Sequence, residues 1–132
     1  MFNPTTKEIE SIMNLLPNER FKYFINKIVD WEEVWGLYNS GWAMTGDNED
    51  KALFPLWPAK KFAECYAIEE WEKYEAKEIS IESLKEDVLP TLQEEDISIS
   101  VFPVPTQNST SVTIAADKLL LILNDEEEAW YS

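Results

Sequence analysis

Carboxylates, tryptophans and one thiol are the candidate functional side chains of this chain, whose 132 residues include no histidine. Histidine is the usual general base and the commonest transition-metal ligand. Cys65 is the single cysteine, and without a histidine it lacks the partner that normally activates a thiol nucleophile. Its place on an apolar helix stripe predicts a small core residue.

One acidic segment has the outline of a calcium loop but lacks its key positions. Asp47-Asn48-Glu49-Asp50 is followed by Ala52 at the sixth position, where such loops need glycine, and by Pro58 at the twelfth, where they need glutamate. A solvated turn is the better interpretation, and the sequence predicts no metal site.

Acidic pairs are a second possible source of catalysis. Glu32-Glu33 and the group Glu69, Glu70 and Glu72 could supply two carboxylates for glycoside hydrolysis, but adjacent acids on one element usually face water. None of the three glycines is followed by the lysine of a phosphate-binding loop. We therefore expect no catalytic residue, no cofactor and no enzymatic activity.

The tryptophans are concentrated in one part of the chain. Five of six lie within residues 31–71, where they either build the core or line an aromatic groove. We expect at least one to be partly exposed, with Trp35 and Trp42 favoured because they flank a predicted hairpin turn. The candidate partner-binding set adds one tryptophan and a neighbouring acidic rim, and comprises Trp35, Trp42, Asp47, Glu49, Asp50 and Trp57.

The net charge indicates which class of macromolecule can bind to this protein. Acidic residues outnumber basic ones by 26 to 11, which gives a net charge of −15 at pH 7. Residues 86–132 carry ten acids and one lysine. Such a surface repels nucleic acid and attracts basic proteins, although acidity that serves only solubility remains an alternative.

The N-terminal elements are predicted from helical spacing and capping signals. Thr5-Thr6-Lys7-Glu8 has the pattern of a capping box, and Pro17 suits the first turn of a second helix. The predicted elements that follow are a β-hairpin over 34–44, a strand over 52–58 whose prolines place it at an edge or end it, a helix over 59–71 with Phe62, Cys65 and Ile68 inward, and a weak strand over 74–79.

The second half alternates helix and strand again. Ser80 is predicted to cap a helix that Pro90 ends or kinks. The alternation of apolar and polar residues over 97–101 predicts a strand with one solvent-exposed face, paired with 112–114. Asp117 is predicted to cap a last helix that frays after Asn124, because four carboxylates follow at its negative end. Trp130 and Tyr131 would then form a tail that packs back or meets a partner.

These elements predict one α+β domain spanning residues 1–132. It comprises a helical pair (1–30), an α+β core (31–124) and an acidic tail (125–132). The core is a mostly antiparallel sheet of five or six strands with helices packed on one face. The sequence shows no basic and apolar leader and no apolar run long enough to span a bilayer, so we expect no contact with membranes. Its single cysteine has no partner for a disulfide, so we expect a cytoplasmic protein. The oligomeric state stays open.

Several segments together resemble a known family. They are Trp31-Glu32-Glu33-Val34-Trp35-Gly36-Leu37, Gly41-Trp42-Ala43, Pro55-Leu56-Trp57-Pro58 with Phe62-Ala63, Val88-Leu89-Pro90 with Leu92, and Val101-Phe102-Pro103. Over nearly the whole chain they resemble the uncharacterised bacterial family called domain of unknown function 2750 (DUF2750). The resemblance implies one α+β domain in the cytoplasm of a bacterium or its phage, and it brings no activity and no catalytic residue.

Three functions remain compatible with the sequence. The first is a non-enzymatic binding or inhibitor protein, such as an immunity or anti-defence protein that blocks a basic partner protein. The second is a DNA-mimicking antagonist, which would need acids in an ordered double row. The third is a small-molecule sensor or an enzyme that uses a tryptophan groove, which a pocket rimmed by Trp35 and Trp57 would favour.

Overall fold

A computed structural model describes residues 2–46, 51–105 and 111–131, with side chains described as far as residue 129. Within these ranges the chain has the predicted α+β class, in which two N-terminal helices precede two small sheets and further helices. Most strand pairs are antiparallel, and one is parallel.

The N-terminal helices form where capping predicts them. Helix α1 spans Thr6–Met13, and the Thr5 hydroxyl accepts a hydrogen bond from the Glu8 N–H at 3.1 Å. The Glu8 carboxylate accepts from the Tyr23 hydroxyl at 2.7 Å, which ties α1 to α2 (Pro17–Trp31). The helical pair is therefore held by a side-chain bond as well as by apolar contacts.

The end of α2 turns one member of an acidic pair inward. Glu32 has a left-handed φ of 57° and ends the helix. The prediction that both acids face water is wrong for Glu33, which is buried and whose Oε1 accepts from the Phe2 N–H at 3.0 Å. The left-handed residue redirects the chain, so that the second glutamate begins a buried strand.

The first sheet contains two strands that are distant in sequence. Strand β1 (Glu33–Tyr38) pairs antiparallel with β4 (Glu75–Ser80). The β-hairpin predicted over 34–44 does not form a ladder of paired strands. Within that segment the backbone makes a single bridge, between Tyr38 and Trp42. The chain then leaves β1 to pair elsewhere.

The second sheet has the order β2-β3-β5-β6. Its strands are β2 (Thr45–Gly46), β3 (Ala52–Leu56), β5 (Ser98–Val101) and β6 (Val112–Ile114), and β3 runs parallel to β5. Of the two alternatives for the proline-containing strand, the edge position is wrong, since β3 lies between two neighbours, whereas the strand does end at Leu56, before Pro58. The sheet tolerates Pro55 because β2 pairs only with Ala52 and Leu53, so the missing N–H removes no hydrogen bond on that side.

One bridge joins the two sheets. The backbone N–H of Trp35 donates to the Trp57 carbonyl at 2.9 Å, and the backbone N–H of Trp57 donates to the Trp35 carbonyl at 2.8 Å. Trp57 directly follows β3, so the bridge connects β1 to the end of β3.

The alternating strand pairs with β6 as predicted but is covered more fully than expected. Ile99 and Val101 are buried, in agreement with the alternation. Ser100 is also buried, however, and its hydroxyl lies 2.8 Å from the Ser111 hydroxyl. The wet face predicted for this strand is therefore wrong at Ser100, where the hydrogen bond compensates the buried hydroxyl.

The helix predicted over 59–71 is broken. Helix α3 spans Lys60–Tyr66, and a 3-10 turn follows over Glu69–Trp71. The backbone leaves the helical conformation at Ala67, where ψ is 60°, and is extended at Ile68, which is 46% exposed. Glu69 then has a left-handed φ of 55°. Phe62 is buried as predicted, whereas the inward placement of Ile68 is wrong.

The next helical stretch is capped as predicted and continues past its proline. The Ser80 hydroxyl accepts from the Ser83 N–H at 3.1 Å at the start of α4 (Ile81–Ser83). A π turn then spans Leu84–Val88, and α5 spans Leu89–Glu94. Proline cannot donate to the carbonyl four residues earlier, and the wider turn just before Pro90 accommodates that loss, so the helix does not end there.

The last helix is longer than expected. Helix α6 spans Ala116–Tyr131, so the fraying predicted after Asn124 is wrong. Asp117 lies inside the helix, where its carboxylate accepts from the Lys118 N–H at 3.0 Å instead of capping the start. Lys85 in the π turn contacts Glu127 at 2.8 Å and holds the late turns against the domain. The side chains of Trp130 and Tyr131 lie outside the described residues.

A buried arginine links the helical pair to the second sheet. Arg20 is only 3% exposed, and its Nε donates to the Phe102 carbonyl at 3.1 Å, just after β5. Its Nη1 donates to the Leu15 carbonyl at 2.7 Å. These charge-assisted bonds compensate part of the cost of burying the guanidinium, whose pKa burial lowers from its ordinary value.

Candidate functional site

Two of the three candidate tryptophans are core residues. Trp57 is fully buried, and its indole Nε1 donates to the Pro103 carbonyl at 2.9 Å. Trp35 is 6% exposed, and its Nε1 has no hydrogen-bond partner among the described residues. The exposure expected of Trp35 is therefore wrong, because the bridge to Trp57 draws both backbones into the interior. Neither ring can anchor a partner from the surface.

The acidic rim predicted beside Trp42 lies outside the described residues. Asp47, Glu49 and Asp50 all belong to the segment 47–50. Their role as a rim stays a prediction from the sequence.

Trp42 is the candidate that the structure leaves half-exposed. Its ring packs on Gly36, where the methyl group of an alanine would come within 3.0 Å of the indole Cζ3 atom. It also meets the Tyr38 ring edge-on at 5.2 Å between centroids and the Phe54 ring at 5.8 Å. Trp42 is thus fixed by neighbours on β1 and β3.

A lysine completes this aromatic cluster. Lys77 lies opposite Gly36 in the β1–β4 ladder. Its ammonium is 4.1 Å from the centroid of the Tyr38 ring and 5.5 Å from that of Trp42. The protein's own cation therefore lies against both rings of this cluster.

The exposed part of Trp42 lines a groove of about 350 Å³ between the second sheet and α5. Its floor and walls are apolar and consist of Trp42, Met44, Phe54, Val88 and Leu92. The remaining lining residues, Asp87, Thr91 and Glu95, carry oxygen atoms. The arrangement is an apolar slot with two carboxylates and a hydroxyl among its walls, which suits an apolar group next to a cation.

The polar wall comes from a helical stripe that sequence reasoning missed. Asp87, Thr91 and Glu95 are spaced four residues apart, and Val88 and Leu92 follow the same spacing one residue later. This spacing places each set along one helix face, and it is a readable signal once the helix is known to continue through Pro90. The Thr91 hydroxyl donates to the Asp87 carbonyl at 2.8 Å, so that hydroxyl is already engaged.

Cys65 is a poor nucleophile in this setting. The side chain is half-buried, and burial, with a smaller contribution from Glu64, raises the pKa of the thiol. A raised pKa keeps the thiol protonated at neutral pH. Among the residues that the structure describes, no three His, Cys, Asp or Glu side chains are grouped as a metal site.

The length and hydropathy of the helices bear on membrane insertion. Within residues 2–46, 51–105 and 111–131, none of them is both long and apolar enough to cross a bilayer.

Comparison with known proteins identifies the family but not an activity. The search of the curated proteins and the search of the solved structures each gave no significant match. The sequence model of one family, described as "Protein of unknown function (DUF2750)", matches residues 21–130. The match covers most of α2 and every later element, including Trp42 and both walls of the groove. The chain therefore belongs to the DUF2750 family.

Proposed function

We propose that this protein is a non-enzymatic, acidic binding protein whose Trp42 groove captures a segment of a basic partner protein. The observation that carries the proposal is the union, in one groove, of a fixed half-exposed tryptophan with the carboxylates Asp87 and Glu95. Such a groove suits an apolar side chain that has a lysine or arginine beside it. Interfaces of this kind take most of their affinity from a buried aromatic anchor.

The rigidity of Trp42 supports this proposal. A ring that is already held by Gly36, Tyr38 and Phe54 loses little further freedom when a partner covers it. Preorganised side chains avoid part of the ordering cost of association. Trp42 can therefore contribute more affinity than an equally exposed but loosely packed ring.

The overall charge supports the choice of a basic partner. A net charge of −15 speeds encounter with a positively charged surface and disfavours nucleic acid as a direct ligand. Within this class, we propose an immunity or anti-defence role in the cytoplasm of a bacterium or its phage, in which the protein blocks a basic toxin or nuclease. The alternative function that the same apolar groove supports is that of a sensor for a small hydrophobic ligand.

The test compares partner binding by groove variants and matched controls. The probes are the partner purified in complex with the wild-type protein and a short peptide with leucine between two arginines. Trp42→Ala should weaken binding by about 2 kcal/mol. Trp31→Ala is the matched control, since Trp31 is 44% exposed but stacks on Phe2 outside the groove, and it should bind normally.

The acidic wall is tested in the same way. The double variant Asp87→Asn/Glu95→Gln should slow association and lower its salt dependence, because two attractive charges leave the site. The control double variant Glu10→Gln/Asp30→Asn changes the net charge equally on exposed positions of α1 and α2.

The proposed function is contradicted if Trp42→Ala binds both probes as the wild type does. It is also contradicted if the two double variants behave alike. A neutral apolar compound that occupies the groove while the arginine peptide does not would favour the sensor instead.

A further inference from the structure

A second concave surface shares no lining residue with the Trp42 groove. It has a volume of about 290 Å³ and is formed where α3 gives way to the 3-10 turn. The chain leaves the helical conformation at Ala67 and Ile68, and Tyr66 and Trp71, on either side of this break, line the same pocket. Val104 also lines it.

The two rings of this pocket are held from behind. Tyr66 packs on the buried Trp57 at 5.3 Å between centroids, and Trp71 packs on Tyr74 at 5.2 Å. The centroids of Tyr66 and Trp71 themselves are 6.4 Å apart, with 33° between the ring planes. They form a shallow, open pair of aromatic surfaces on a rigid base.

Two carboxylates complete the pocket. Glu69 and Glu70 both line it, and both are exposed. Burial raises the pKa of the Tyr66 hydroxyl, and the negative charge of Glu70 raises it further. Neither lysine nor arginine is among the described residues that line the pocket.

Elsewhere in the molecule, lysine ammonium groups lie over aromatic rings. Lys27 covers the Phe2 ring at 5.0 Å, and Lys77 covers the Tyr38 ring at 4.1 Å. No such contact with Tyr66 or Trp71 occurs within the described residues. The pocket thus combines aromatic faces and negative charge but receives no cation from the described part of the chain.

We infer that the Tyr66–Trp71 pocket binds an alkylammonium group. Aromatic faces attract such cations through the ring quadrupole, and nearby carboxylates compensate the positive charge without forming a tight, water-excluding ion pair. The volume of about 290 Å³ accommodates a small quaternary or primary ammonium ion. The site is independent of the Trp42 groove and of the partner proposed for it.

The experiment titrates the full chain with choline and with its neutral carbon analogue, 3,3-dimethylbutan-1-ol, and follows the indole resonances by NMR. Choline should bind in the millimolar range and shift the Trp71 indole signal, whereas the neutral analogue should shift it little. A peptide with one trimethyllysine forms a second arm. Tighter binding of the peptide than of choline would assign the ammonium to a protein side chain, and the reverse would assign it to a free metabolite.

The variants separate the site from the fold. Glu69→Gln/Glu70→Gln should weaken choline about tenfold and leave the unfolding midpoint unchanged, because both side chains are exposed. Trp71→Leu, followed through the Tyr66 ring resonances because its own indole signal is absent, should weaken choline by a similar factor. Glu10→Gln/Asp30→Asn removes the same charge elsewhere and should have no effect. Equal binding of choline and the neutral analogue, equal loss in both double variants, or no saturable shift in the millimolar range would overturn the inference.

Discussion

Gly36 determines where the Trp42 ring can lie. A Cβ atom at position 36 would lie 3.0 Å from Cζ3 and 3.1 Å from Cε3 of that indole, closer than ordinary contact allows. We expect Gly36→Ala to lower the free energy of unfolding by about 1–2 kcal/mol, because the ring must shift within a packed cluster. Urea denaturation measures the loss.

Gly41 provides the control for this substitution. A Cβ atom there meets nothing within 4 Å, so Gly41→Ala should leave the free energy of unfolding within about 0.5 kcal/mol of the wild type. If Gly36→Ala is equally harmless, the indole is not held by the strand as described. If Gly36→Ala also leaves partner binding at the Trp42 groove unchanged, Trp42 needs no fixed position to act as an anchor.

Tyr23 gives the folded protein a specific sensitivity to alkali. Burial first, and then the hydrogen bond and charge of Glu8, raise its pKa above the ordinary value. The unfolded chain then loses this proton at lower pH than the folded chain. The stability that Tyr23 supplies is therefore complete below about pH 10 and is lost as the pH rises further.

The variant Tyr23→Phe tests this dependence. It should cost about 1 kcal/mol near neutral pH through the lost hydrogen bond. It should also flatten the decline of the urea midpoint between about pH 10 and pH 12, where the wild type loses the stability that Tyr23 supplies. A variant whose midpoint falls as steeply as that of the wild type would show that other groups cause the alkaline loss.

Single residues were predictable from sequence where local pattern decides their role. Thr5 and Ser80 cap helices as their spacing indicated. Trp35 and Arg20 were not predictable, because their burial depends on Trp57 and Phe102, which lie far along the chain. No local pattern distinguishes a tryptophan that lines a groove from one that fills the core.

At the scale of elements, one ion pair joins the π turn to α6. Lys85 contacts Glu127 at 2.8 Å, both side chains are 24% exposed, and the second carboxylate oxygen of Glu127 is buried without a hydrogen bond among the described residues. Lys85→Met should lower the free energy of unfolding by about 1–2 kcal/mol, because it leaves the carboxylate without its cation.

The double variant Lys85→Met/Glu127→Met should recover most of that loss, because it removes the half-buried carboxylate together with its cation. Thermal unfolding of the wild type, both single variants and the double variant completes the cycle. Additive losses would contradict a direct coupling between the π turn and α6.

The elements themselves were largely predictable, and their neighbours were not. Helical spacing located α1 and α2, and strict alternation located β5. The pairing of β1 with β4 and of β3 with β5 joins segments about forty residues apart, and no turn signal specifies such contacts. The prediction that α6 frays likewise did not account for Lys85. This lysine pairs with Glu127 near the end of the helix, and no local sequence pattern reveals such a tertiary partner.

At the scale of the whole molecule, self-repulsion works against folding. A net charge of −15 on 132 residues favours the expanded chain, and salt screens this repulsion over about 10 Å at 0.1 M. Raising NaCl from about 0.01 M to about 0.3 M should therefore raise the unfolding temperature. Differential scanning calorimetry measures the change, and a temperature that falls with salt would show that attractive surface pairs outweigh the repulsion.

The predicted elements indicated the fold class and a few segments the family, but composition could not locate a binding surface. The acidic excess and the aromatic content are properties of the whole chain, whereas each pocket depends on how elements meet. The Trp42 groove needs β3 beside α5, and the Tyr66–Trp71 pocket needs the break after α3. Only the three-dimensional arrangement separates these two surfaces.

The reciprocal bridge between Trp35 and Trp57 has a consequence for how the domain opens. Both amide protons are donated across the junction of two otherwise separate sheets, so neither can reach solvent unless the sheets part. In native-state hydrogen exchange these two amides should belong to the slowest class and share the free energy of global unfolding. Earlier exchange at this junction would divide the domain into two cooperative units that open separately, with the β1–β4 ladder in one and the parallel pair in the other.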